Sequence, residues 1–137
     1  MNWVTRPGVH IDRAACAWLI RRHIDPDATF SFGAGPGTAF DMPGAELGHH
    51  GGDCTFETML RHYGLTDPVL WRIAEAVHEA DLGDDRFAAP EAPGLDAVVR
   101  GLSLLHPDQQ VIDLTGPLFD GLYEYHRQRL LLGREPA

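Results

Sequence analysis

The chain has 137 residues, 44% hydrophobic and 23% charged, the make-up of one globular domain whose core needs no disulfide. Eleven basic against 20 acidic residues give a net charge of −9, and every cation is arginine, which argues against a nucleic-acid partner for this domain. No apolar run nears the roughly 20 residues of a membrane span, the N-terminus has no secretory pattern, and Cys16 and Cys54 are the only thiols, so a cytoplasmic protein with reduced cysteines is expected.

Met1 to Val9 is expected to begin extended, because Arg6-Pro7 disfavours helix before the proline. Asp12 is placed to cap a helix over 13–24, with Cys16, Leu19, Ile20 and Ile24 as its apolar stripe and Asp25-Pro26 as its stop. Thr29 to Phe32 and Thr38 to Asp41 read as two short strands joined by a hairpin-like turn at Gly33 to Gly37. Thr55 to Tyr63 predicts a short helix closed by Gly64. Asp67-Pro68 starts another, reaching about Asp81 with Leu70, Ile73, Ala74 and Val77 inward. Residues 83–93 read as loop. Gly94 to Leu105 and Pro117 to Leu132 read as two more helices, the last fraying in Gly133 to Ala137. The expected fold is a single domain over 1–137, α+β and predominantly helical, with about five helices and a small antiparallel β element near the N-terminus. The stripe Leu118, Phe119, Leu122 and Tyr123 on the last helix makes a homodimer one expectation.

The segment from Phe40 to Glu57 is the chemically densest part of the chain. It holds four carboxylates, two adjacent imidazoles and a thiol, in a backbone that glycines and a proline keep in loop. Downstream, Asp81 falls where the stripe of its helix calls for an apolar residue, with His78 one position round. A buried carboxylate needs a cation, a donor or a metal. His49 or His50, with Cys54, Glu57, His78 and Asp81, would supply three or four mixed ligands suited to zinc, iron or manganese. Cys54, at a helix start, is the candidate nucleophile. Asp41 and Glu46 are placed to orient an imidazole from behind. Arg6 and Arg13, beside the N-terminus of the first helix, are candidates for holding a small oxyanion, Arg13 also as a catalytic cation. The competing structural roles are an Arg13–Asp81 ion pair, a plain buried thiol and a solvated loop histidine. His23, His62, His106 and His126 are placed on helix surfaces or ends and given no chemistry.

The runs Trp3–Pro7, Asp12–Pro26, Phe40–Gly51, Cys54–Glu57 and Ala80-Asp81, with Glu91–Leu95 and Phe119–Tyr123, resemble the C-terminal domain of bacterial chromate resistance proteins of the ChrB type. The resemblance spans nearly the whole chain. It implies a domain associated with chromate resistance. Longer members carry an N-terminal segment and are described as chromate-responsive regulators, and related domains are fused to sulfurtransferase-like domains. The expectation is a metal-binding domain, extending to a small redox or hydrolytic metalloenzyme. The alternative is a noncatalytic sensor of chromate or a similar oxyanion, without its own DNA-binding segment.

Overall fold

A computed structural model describes residues 1–134. Strand β1 (Asn2–Thr5) leads into helix α1 (Ile11–Leu19), which runs on as a wider π-helical turn over Ile20–Ile24. Strands β2 (Thr29–Phe32) and β3 (Thr38–Ala39) follow, then helices α2 (Thr55–His62), α3 (Pro68–Leu82), α4 (Ala92–Leu105) and α5 (Asp108–Leu131). The expected helices are all present. The fraying expected over Gly133 to Ala137 falls in part on residues 135–137, outside the described residues.

The sheet corrects the expectation of an antiparallel element. Its order is β2-β1-β3, and both flanking strands pair with β1 in parallel, in the registers Trp3↔Phe30 and Trp3↔Thr38. The N-terminal segment takes the middle place, so β2 and β3 never meet. Instead of a hairpin, the five residues between them carry the chain back to the start of β1. Asn2 holds that loop by donating from its amide to the Pro36 carbonyl at 2.8 Å. Gly37 has φ +137, and a Cβ there would stand 2.6 Å from the Asn2 carbonyl oxygen. Gly37→Ala is therefore expected to cost about 2 kcal/mol or more, from strained φ and a backbone clash together. Gly94→Ala, in α4 with nothing within 4 Å of the added carbon, is expected to be neutral or stabilising. Denaturant midpoints of the two variants check the pair.

Helix α1 is buried along its whole length and packs against α2, α3, α4 and α5. Ala14, Ala15, Cys16 and Ala17 keep it slim enough for that central place. Trp18 donates to Asp120 at 2.8 Å and lies against Phe119 and Tyr123, tying α1 to α5. A helix buried on every side has no solvent face for its polar residues. Asp12 and Arg13, 2% and 5% exposed, must find partners in the protein. The apolar stripe expected on α5 packs inward through Phe119, with Leu122 and Tyr123 at the edge of the core. That helix begins at Asp108, nine residues before the expected start, with Pro117 inside it.

Candidate metal centre

Asp12 does not cap its own helix. The residue preceding α1 is His10, which makes no side-chain cap. The Asp12 carboxylate instead reaches across the core to the N-terminus of α2, accepting from Thr55 N at 2.9 Å and Phe56 N at 3.0 Å, with the Cys16 thiol at 3.6 Å. Two unpaired amides and the positive end of the helix dipole hold the charge there.

Asp41 follows β3 in the left-handed region, φ +47, a conformation that Asp tolerates better than most residues. Arg13 fixes it from below. Its guanidinium donates to the Asp41 carbonyl at 2.9 Å, pairs with the Asp41 carboxylate at 3.2 Å, and also holds the Pro7 and Gly8 carbonyls. The Thr55 hydroxyl donates to the other carboxylate oxygen at 2.7 Å. Arg13 pairs with Asp41, and the anticipated Arg13–Asp81 pair is not formed.

The loop then brings in the imidazole. His50-Gly51-Gly52-Asp53 closes a tight turn in which Asp53 N donates to His50 O at 2.8 Å. Both central glycines have positive φ, which a turn of this hand requires. His49, just before the turn, is half exposed but turns one ring edge onto the carboxylates. Its Nε2 lies 3.1 Å from Asp12 Oδ2, 3.2 Å from Asp81 Oδ2 and 3.8 Å from Asp41 Oδ1. Asp81 arrives from the last turn of α3, where the helix dipole opposes a negative charge. Thus three carboxylates from separate parts of the chain surround one imidazole nitrogen. They form the floor of a cleft of about 330 Å³, with Arg6 and His10 at its rim.

The electrostatics follow from that crowding. The hydrogen bond to Asp12 and the charges of Asp81 and Asp41 raise His49 to about 9, against the pull of burial. Burial first, and then Asp12, push Asp81 up to about 6. Burial and Asp12 likewise raise Asp41. With His49 protonated and Arg13 paired, three carboxylates face two cations, leaving one negative charge over.

The family model described as "ChrB, C-terminal domain" matches residues 3–126. The chain belongs to this family. Protein ChrB of Cupriavidus metallidurans is 38% identical to it over 132 residues, covering 90% of this chain and 40% of that protein. The chain thus spans about two fifths of the length of that curated relative. No solved structure matches. Among the described residues, no helix is long and apolar enough to cross a membrane.

In this ChrB-type domain the expected ligand set divides in two. His49 and Asp81 meet at the cluster described above, joined by Asp41 and by Asp12, whose part spacing alone could not reveal. Glu57, His78 and Cys54 form a second, buried cluster, in which His78 Nδ1 lies 2.5 Å from Glu57 Oε1. His78 is fully buried and Asp81 a quarter exposed, the reverse of the order expected from the stripe. His50 joins neither cluster, since its Nε2 meets the Glu46 carbonyl at 2.7 Å. It lines a neighbouring cleft of about 450 Å³ that shares Arg6, Asp41 and His49. The Glu46 carboxylate is 84% exposed and nearest to His62, at 3.7 Å. Burial and the nearby Asp12 push the Cys54 thiol up, which favours its protonated form while no cation is beside it. Arg13 is spent on its structural partners, whereas exposed Arg6 has no ion pair among the described residues. His126, expected on a surface, is buried, with its Nε2 3.4 Å from Glu91.

Proposed function

We propose that the domain binds one divalent metal ion through His49, Asp12, Asp41 and Asp81, and that the ion holds a small oxyanion such as chromate in the cleft below Arg6. Membership of the ChrB C-terminal family supports an association with chromate resistance. The observation that carries the metal is the convergence of three carboxylates on His49 Nε2. Protonated His49 and Arg13 offset two of the three charges, and the remaining one is costly to hold in this crowded cluster. Exchanging the imidazole proton for a divalent ion cancels the residual negative charge. Three carboxylates and one imidazole, with no thiol, form a hard donor set that suits manganese or iron(II).

The metal is also what makes an anion acceptable. Without it, an oxyanion entering the cleft meets three carboxylates, and Arg6 alone does not offset them. With it, the ion and Arg6 present positive charge from two sides.

Dialysis against manganese followed by elemental analysis is expected to leave about one ion per wild-type chain, and far less on His49→Ala or Asp81→Ala. Chromate or sulfate is expected to raise the melting temperature only when manganese is bound. An equal rise in metal-free protein would instead support the noncatalytic oxyanion sensor.

The raised His49 pKa fixes the pH dependence. The metal must displace a proton held up to pH about 9, so below that its apparent affinity falls about tenfold per pH unit. Metal-free protein behaves oppositely. A histidine pKa raised on folding stabilises below its ordinary value of 6.5, and that stability is lost as pH climbs towards 9. The gap in melting temperature between manganese-loaded and metal-free protein is expected to widen from pH 6.5 to 9.

A further inference from the structure

We propose that Cys54, Glu57 and His78 form a second metal site, with donors distinct from those of the His49 cluster, that takes a borderline-soft divalent ion such as zinc through one thiolate, one carboxylate and one imidazole. Their donor atoms all lie within 4.8 Å of one another, and all three residues are buried. Bond lengths to zinc of about 2.0–2.3 Å put neighbouring donors of one tetrahedron about 3–4 Å apart, so closing the site needs only small side-chain movements.

Each donor is already oriented. Cys54 and Glu57 occupy the cap and third positions of α2, where Glu57 Oε1 accepts from Cys54 N at 2.9 Å and the thiol receives the Glu57 amide. His78 comes from the buried face of α3. Its second nitrogen, Nε2, lies 2.9 Å from Asp84, so a carboxylate backs the imidazole as is usual for metal-ligating histidines. The Phe87 ring packs edge-on against it, centroids 5.1 Å apart. Glu57 also reaches the floor of a cleft of about 420 Å³ walled by Trp71, Phe87 and Leu130, which gives an ion a way in.

The choice of cysteine is the telling detail. Capping is better served by Ser, Thr, Asp or Asn, so a thiol at this cap has no advantage to the helix. It has one for a metal. Charge balance agrees as well. A neutral thiol with a Glu57–His78 ion pair carries the same net charge as a thiolate and a carboxylate around a divalent ion with neutral imidazole, the half-exposed Asp84 carboxylate counting equally in both. Either state tolerates burial. Binding releases two protons to solvent, one from the thiol and one from between His78 and Glu57, and moves no electrons.

Cobalt(II) titration distinguishes this site from the all-oxygen-and-nitrogen cluster at His49. A near-ultraviolet thiolate-to-cobalt charge-transfer band is expected in wild type, unchanged in Asp81→Ala, bleached by zinc and lost in Cys54→Ser. Serine keeps a capping oxygen, so that variant is expected to fold. His78→Gln is expected to weaken the band's midpoint at least about 100-fold. Cobalt uptake by wild type without the band, or a band that survives Cys54→Ser, overturns this site and leaves the His49 site standing. A band without manganese uptake at His49 does the reverse.

Discussion

Asp12→Ala is expected to be the most damaging single substitution in the domain, costing about 3–5 kcal/mol. The carboxylate is 2% exposed and accepts two backbone amides of α2, so its removal strands both donors in the core and leaves a void beside Cys16. A domain of this size has about 5–15 kcal/mol in total, so the loss is a large share of its stability. Asp12→Asn keeps one acceptor oxygen for one amide and is expected to lose about half as much. Urea unfolding monitored by circular dichroism gives both values. A loss below about 1 kcal/mol for Asp12→Ala would mean that α2 is held elsewhere.

Arg13→Met is expected to follow closely, at about 3–5 kcal/mol, because it leaves the Asp41 carboxylate, 12% exposed, without its cation. Three backbone carbonyls, those of Pro7, Gly8 and Asp41, lose their donor with it. Arg13→Lys keeps the charge but not the fork and is expected to recover less than half of the loss. An oxyanion-binding or catalytic Arg13 predicts the opposite pattern, a normally stable protein with impaired anion binding. Parallel unfolding curves and anion titrations on the two variants tell these apart.

Much of the helical frame could be read from the chain, because apolar spacing and capping signals are local. Asp67-Pro68 and Gly64 mark boundaries where the structure has them. The sheet could not be read the same way. Whether β2 and β3 pair with each other or each with β1 depends on where the N-terminal strand lies, and no short-range pattern records that. The start of α5 was hidden by Gly116-Pro117, a helix-breaking signal on its face. The surrounding helix nevertheless persists, with Thr115 bonding back to Val111 and Ile112.

The residues of the proposed sites divide along the same line. The density of ligand types between Phe40 and Glu57 pointed to His49 and Asp41. The apolar register of α3 singled out Asp81 for a burial that falls on His78 instead, and Asp81 reaches His49 from the exposed end of the helix. Asp12 escaped because an acidic residue at a helix start has an ordinary local explanation. Its real partners, Thr55 and Phe56, lie more than 40 residues away. His49 and His50 are equivalent as neighbours in a sequence. Only the Gly51-Gly52 turn decides that one faces the carboxylates and the other the Glu46 carbonyl.

The His49 cluster is tested most directly by following the histidine imidazole resonances during a manganese(II) titration, in wild type and in Asp81→Ala. Paramagnetic broadening is expected to erase the His49 signals first, at about one ion per chain, with half-buried His106 affected later, and Asp81→Ala is expected to need far more manganese for the same effect. Uniform broadening of all the histidines, or loss of His50 before His49, would contradict a metal centre at this position.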